Sequence, residues 1–138
     1  MKKPLAIVLV LSVIAIIVGG VAWMNSKLPA DDLKHDTNRW AAIEDYNGDR
    51  VEVETARAEV WTQLVQLNQN GSRLWIGGII ERYNNSWGFR FKPETLALAE
   101  VTAEGSQATI RYISENLNQW LNGWAYVDAK VTEIHSST

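Results

Sequence analysis

The hydrophobic pattern takes three forms along the chain. From Leu5 to Met24 it is continuous: no charged residue interrupts it and Ser12 is its only hydroxyl. A helix rises about 1.5 Å per residue, so twenty such residues span roughly 30 Å, the thickness of a bilayer's hydrocarbon core. Inside lipid a lone segment satisfies its backbone polar groups only as a helix, so the run predicts a transmembrane signal-anchor over residues 1–24. Lys2 and Lys3 precede it and Trp23 stands at its far end. This bias keeps the N-terminus cytoplasmic and sends the rest of the chain across, with Trp23 as an interfacial aromatic. A second reading is a signal peptide cleaved after Ala22, in the small-residue stretch Gly20-Val21-Ala22, which would release a secreted domain.

Residues 25–38 are polar, contain Pro29 and three aspartates, and show no apolar period. They read as a stalk. From Arg39 onward the period alternates between two and 3.6. Trp40–Asp45 and Arg50–Glu54 flank Tyr46-Asn47-Gly48-Asp49, a hairpin signal that suggests a type I′ turn at Asn-Gly. Thr55 is placed to cap a helix carrying Val60, Trp61, Leu64 and Leu67, closed by Asn70-Gly71. Arg73–Glu81 reads as a strand in which Gly77-Gly78 marks a bulge or a close backbone approach. Beyond the turn Tyr83–Ser86, the residues Trp87, Phe89 and Phe91 alternate with Gly88, Arg90 and Lys92, giving an aromatic face and a basic face. Pro93 ends that strand, and Leu96–Val101 reads as another. Ser106 is placed to cap a second helix with Ile110, Ile113, Leu117 and Trp120 or Leu121 as its stripe, ended by Asn122-Gly123. Trp124–Ile134 is a last strand with Ala125, Val127, Ala129 and Val131 on one side, and His135–Thr138 reads as a flexible tail.

This order predicts one α+β domain over residues 39–134, a mainly antiparallel sheet with two helices on one face. A ferredoxin-like βαββαβ connection with extra strands is one form of it.

Composition narrows the function. Of 13 Lys and Arg, two precede the apolar run, against 16 Asp and Glu beyond it. An acidic outer domain does not suit nucleic acid, which needs clustered cations to displace counterions. There is no cysteine, so neither disulfides nor a lipidated-cysteine anchor is available. The two histidines, His35 and His135, are far apart in the stalk and tail and suggest neither zinc nor a nucleophile's base. Asp45, Asn47 and Asp49 have some calcium-loop character but lack the later glutamate. No metal or cofactor is expected. Glu100 and Glu104 are the one carboxylate pair that suggests acid/base chemistry; on one strand they would stand about 13 Å apart, which is too far. The opposed reading pairs Glu100 with a base such as Arg90 and sets Glu104 at the start of the second helix. Trp75, Trp87 and Trp124, with Tyr83 and Tyr126, form either core or a stacking surface for a sugar or protein. Asn70 and Asn84 head N-glycosylation sequons.

The stretch WGFRFKPETLALAEVTAEGSQATIRYI, from Trp87, resembles a family of small secreted or membrane-tethered domains of the BP-seventy-four type, many labelled calmodulin-binding protein. Its pattern is an aromatic strand, a proline turn and two acidic residues four apart leading into a helix. Trp87, Phe89, Pro93, Thr95, Glu100, Glu104, Ala108, Ile110 and Tyr112 fall on it, and the resemblance extends over about Trp40 to Ile134. Family members often carry cysteine where Ser106 stands, and acidic residues or histidine where Arg90 and Lys92 stand. The resemblance implies no agreed activity. A calmodulin partner is not expected, because the chain has no basic amphipathic helix.

Together these readings describe a membrane-tethered, extracytoplasmic, non-enzymatic binding module for a protein or glycan. Its expected binding residues are Asn84, Asn85, Trp87, Arg90, Lys92, Glu100 and Glu104, with the bilayer as partner through Leu5–Met24. The alternatives are a small cell-surface hydrolase using Glu100 and Glu104, and an accessory subunit whose anchor packs beside another membrane protein at Gly19-Gly20.

Overall fold

The computed structural model describes residues 37–136. The apolar run Leu5–Met24 and the stalk as far as Asp36 lie outside the described residues. Among the described residues no helix is long and apolar enough to cross a membrane.

The described chain is α+β. Strands β1 (Arg39–Asp45) and β2 (Arg50–Glu54) form the first hairpin, followed by helix α1 (Ala58–Asn70). Then come β3 (Leu74–Arg82), β4 (Phe89–Phe91), a 3₁₀ turn at Pro93–Thr95 and β5 (Ala97–Ala99). Two short helices, α2 (Ile110–Glu115) and α3 (Leu117–Trp120), precede the long strand β6 (Trp124–Ser136). The strands pair antiparallel in the order β2-β1-β6-β3-β4, with β5 also on β3. β6 is the spine, because its first half pairs with β3 and its second half with β1. The two ends of the path, β2 and β4, approach each other, so the sheet is nearly a barrel.

This order excludes the ferredoxin-like connection. Following the antiparallel pairings from β2 through β1 and β6 to β3 makes β2 and β3 run in opposite directions, so α1 does not join parallel strands.

One apolar cluster fills the interior. It takes Ala41 and Ile43 from β1, Val51 and Val53 from β2, Ile76 and Ile80 from β3, and Phe89 and Phe91 from β4. Ala125, Val127, Ala129 and Val131 of β6 join it, as the alternation along that strand requires. The helices contribute Val60, Leu64, Leu67, Ile110, Ile113 and Trp120 to the same cluster.

Several local expectations give way to better-satisfied polar groups. The first turn is not type I′: Gly48 has φ +88°, while Asn47 does not adopt positive φ. Instead Gly48 N–H donates to Asp45 O and Asp45 N–H to Asp49 O, a three-residue loop with glycine in the left-handed bulge position. The buried Asp45 carboxylate selects this form by accepting from Asn47 N–H and Asp49 N–H. Thr55 does not cap α1, since it is fully buried and accepts from Arg57 N–H just outside the helix. Ser106 does not cap α2 either; Thr109 does, accepting from Tyr112 N–H. The second helix breaks at Asn116, and the left-handed residue after α3 is Asn122, with φ +66°, rather than Gly123. The tail begins later than expected: β6 continues through His135, whose ring stacks on Trp40 at 3.9 Å.

Gly77-Gly78 proves to be a close approach rather than a bulge, as the β3–β6 register runs through it unbroken. A Cβ at Gly77 would collide with the Ala125 carbonyl oxygen, a backbone atom that cannot swing away. We expect Gly77→Ala to cost about 3 kcal/mol, the upper end for overpacking a sheet interior. Urea unfolding measures it; an unchanged midpoint would refute the close packing of β3 on β6.

Candidate functional site

The structure distributes the expected binding residues among different tasks. Asn84 and Asn85 lie in the turn after β3, the first exposed and the second half-buried. Trp87 precedes β4 and is a tie between elements. Its indole N–H donates to Arg50 O at 2.5 Å, its carbonyl accepts from Ser114 Oγ at 2.7 Å, and Arg111 stands 5.5 Å from its ring. Lys92 is half-buried and its backbone N–H donates to Ile79 O. Glu100 and Glu104 are exposed on the irregular segment between β5 and α2, not on one strand.

Arg90 does not pair with Glu100. The β3–β4 register sets it opposite Glu81, where Nε meets Oε2 at 2.7 Å, and Nη1 reaches across to Glu54 Oε1 on β2 at 3.0 Å. Tyr83's ring lies 4.3 Å from the guanidinium. The side chains of Arg90 and Glu54 are only 14% and 5% exposed. Their partners therefore offset a real desolvation cost, and the group links β2, β3 and β4.

A different set of residues forms a groove of about 340 Å³: Tyr46, Trp75, Gln107, Ala108, Thr109 and Tyr112. Tyr46 is 68% exposed and Tyr112 46%, two of the largest exposed apolar side chains among the described residues. Their positions are set by one buried group. Asp45, 1% exposed, accepts from the hairpin loop through Oδ1 and from Ile110 N–H, at the start of α2, through Oδ2 at 3.0 Å. Tyr46 follows Asp45 directly, and Tyr112 stands two residues past Ile110. One carboxylate thus fixes both walls, with help from the helix's N-terminal field. Asp49 adds a second tie, to Arg111 at 3.0 Å. The groove's remaining polar side is docked on β6, where Tyr126 N–H donates to Ser106 O and Ala108 N–H to Tyr126 O.

The same bonds occupy the carboxylates of Asp45 and Asp49, the residues with calcium-loop character. Their oxygens are directed at backbone amides and at a guanidinium. Among the described residues no group of three or more His, Asp or Glu side chains is arranged to hold a metal ion.

Residues 37–137 match the family model of the BP-seventy-four N-terminal domain. The chain belongs to that family. No curated protein and no solved structure matches it.

Within this BP-seventy-four N-terminal domain, the aromatics expected as a stacking surface divide. Trp124 and Tyr126 alternate with the buried residues of β6, and their rings lie 6.0 Å apart, nearly parallel. Trp75, on β3, lines the groove. Trp87 bonds to Arg50 O, and the Tyr83 ring lies against Arg90. Ser106 is buried and donates to Ala103 O. Sequence reasoning missed Tyr46 and Tyr112 as a pair. The signals present were an aromatic inside a hairpin turn and a tyrosine on the polar side of the Ile110–Ile113 stripe.

Two outcomes test these assignments in the BP-seventy-four N-terminal domain. Arg90→Ala leaves Glu54 buried without its cation and should cost about 3–5 kcal/mol, whereas Lys92→Ala should change stability by less than about 0.5 kcal/mol. Equal effects in urea unfolding would overturn the distinction. Asp45→Asn replaces an acceptor with an amide N–H₂ facing Ile110 N–H and should cost about 2 kcal/mol, with faster hydrogen exchange at Asn47, Asp49 and Ile110.

Proposed function

We propose that the chain is a non-enzymatic binding module, held on the outer face of a membrane by Leu5–Met24, whose ligand contacts the groove between Tyr46, Trp75 and Tyr112. The observation that carries this reading is the pair of exposed tyrosines pinned through a single buried carboxylate. Fixing the backbone that carries exposed aromatic residues lowers the ordering cost of binding, and aromatic residues with polar tips are favoured at binding surfaces. The ligand is a protein or a glycan. Glu100 and Glu104 lend no comparable support to a hydrolase: neither lines the groove, and both are exposed on an irregular segment.

The tether limits where the ligand can be. A stalk over residues 25–38 extends at most about 50 Å at roughly 3.5 Å per residue, so the target lies on or near the same membrane. Cleavage after Ala22 would remove this limit and favour a diffusible target.

The test is site-specific photo-cross-linking in the native host. A photoreactive residue at Tyr112 should give a discrete adduct that is absent when the residue is placed at Gln66, on the exposed side of α1. Identical patterns from the two positions, or no adduct at Tyr112, would overturn the groove as the contact surface. Alkaline extraction of host membranes should leave the chain in the pellet. Recovery in the soluble fraction would overturn the anchor.

A further inference from the structure

We infer that the ligand of the Tyr46–Trp75–Tyr112 groove is a neutral saccharide, an inference that rests on the binding-module reading above. Three features of the lining select this chemistry. First, no Asp, Glu, Lys or Arg lines the groove, although the protein is rich in them elsewhere. A charged ligand would lose hydration there without gaining a counter-charge. Second, the apolar part of the lining is three aromatic rings and one alanine, with no Leu, Ile, Val, Met or Phe. Flat rings match the C–H faces of a pyranose, whereas a protein partner would be gripped by a larger apolar centre. Third, the polar part consists of groups that hydroxyls can match. The Tyr46 and Tyr112 hydroxyls have no hydrogen-bond partner among the described residues. Thr109 Oγ1 accepts from Tyr112 N–H and keeps its own proton to donate. Gln107 donates through Nε2 to Thr102 Oγ1 at 2.9 Å, which orients its amide and leaves the carbonyl oxygen as an acceptor.

Size and rigidity agree with this choice. About 340 Å³ sits at the lower end of the roughly 300–1,000 Å³ usual for small-ligand sites, enough for a short stretch of sugar rings. The two walls are fixed by Asp45 and the segment behind Thr109 is fixed by β6, so a flexible, hydroxyl-rich ligand meets a surface already in place.

The test uses the full chain in a phosphocholine detergent, whose head group carries no sugar that could compete. The Trp75 indole N–H resonance, assigned through Trp75→Phe, is followed during titration with cellohexaose, laminarihexaose, maltohexaose and chitohexaose, and with oligogalacturonate as the charged comparison. At least one neutral hexasaccharide should shift Trp75 saturably. Tyr46→Ala and Tyr112→Ala should each weaken that response about tenfold, while the remaining amide spectrum keeps its native dispersion. Trp75 shifts by none of the neutral sugars at millimolar concentration would overturn the proposal. So would equal binding of oligogalacturonate, or a response indifferent to both tyrosine substitutions. A groove-specific protein adduct at Tyr112 without any sugar response would sink the saccharide and leave the binding module standing. Failure of both experiments would remove both.

Discussion

The architecture depends on a single guanidinium. A sheet ordered β2-β1-β6-β3-β4 ends in two strands whose outer edges face each other without a ladder between them. Arg90 bridges that seam, holding Glu81 on β3 and Glu54 on β2. Glu54 in turn accepts from Thr37 N–H through its other oxygen, at 2.8 Å, and so ties in the chain just before β1. Trp87 adds a neutral bond across the same gap, to Arg50 O. Charged groups taken out of water contribute little net stability over apolar ones of the same shape, but they tolerate no misalignment. Side chains of this kind can set the register of a closure that no backbone ladder enforces, and the apolar residues then fill the space so defined.

Asp45 works on the same principle in a different place. One buried carboxylate accepts from the backbone amides of Asn47 and Asp49 in its own hairpin and of Ile110, 65 residues further along the chain at a helix start. Two buried acidic residues, Asp45 and Glu54, thus hold separate segments of backbone in place, Glu54 together with Arg90. The groove inherits its geometry from that arrangement. Its distinguishing property, a neutral aromatic lining on an acidic protein, arises because the nearby acidic and basic groups are engaged with each other or with the main chain.

Much of this fold was legible in the residues, and the exceptions share a cause. Alternation of Ala125, Val127, Ala129 and Val131 foretold the inner face of β6, and Gly71 the end of α1. These depend on local periodicity and on one residue's backbone freedom. What could not be read was which partner a polar side chain would find across the sequence. Thr55 and Ser106 have cap chemistry, yet both were drawn into the interior, and Arg57 and Thr109 took the flanking positions. Asn47-Gly48 has hairpin chemistry, yet the carboxylate of Asp45 set a different turn. Arg90 and Trp87 looked like exposed binding groups because a basic and an aromatic residue near a turn usually are. The approach of β2, 36 and 37 residues away, gives each of them a bond to that strand that no local pattern signals. Tyr46 and Tyr112 are joined by contacts of the same long range, so their groove was invisible for the same reason.

The central position of β6 also has a consequence for how the protein is made. The first hairpin and the β3–β4 hairpin can each form as soon as they are synthesised, since their pairings are local. No backbone ladder links them until β6 arrives, because β6 alone lies between β1 and β3. A chain being exported from its N-terminus would therefore emerge as two separate hairpins with their helices, each too small to resist threading through a narrow channel. The sheet is completed only when the final strand has passed through. Were the domain exported, late closure of this kind would keep it threadable until its final strand had passed.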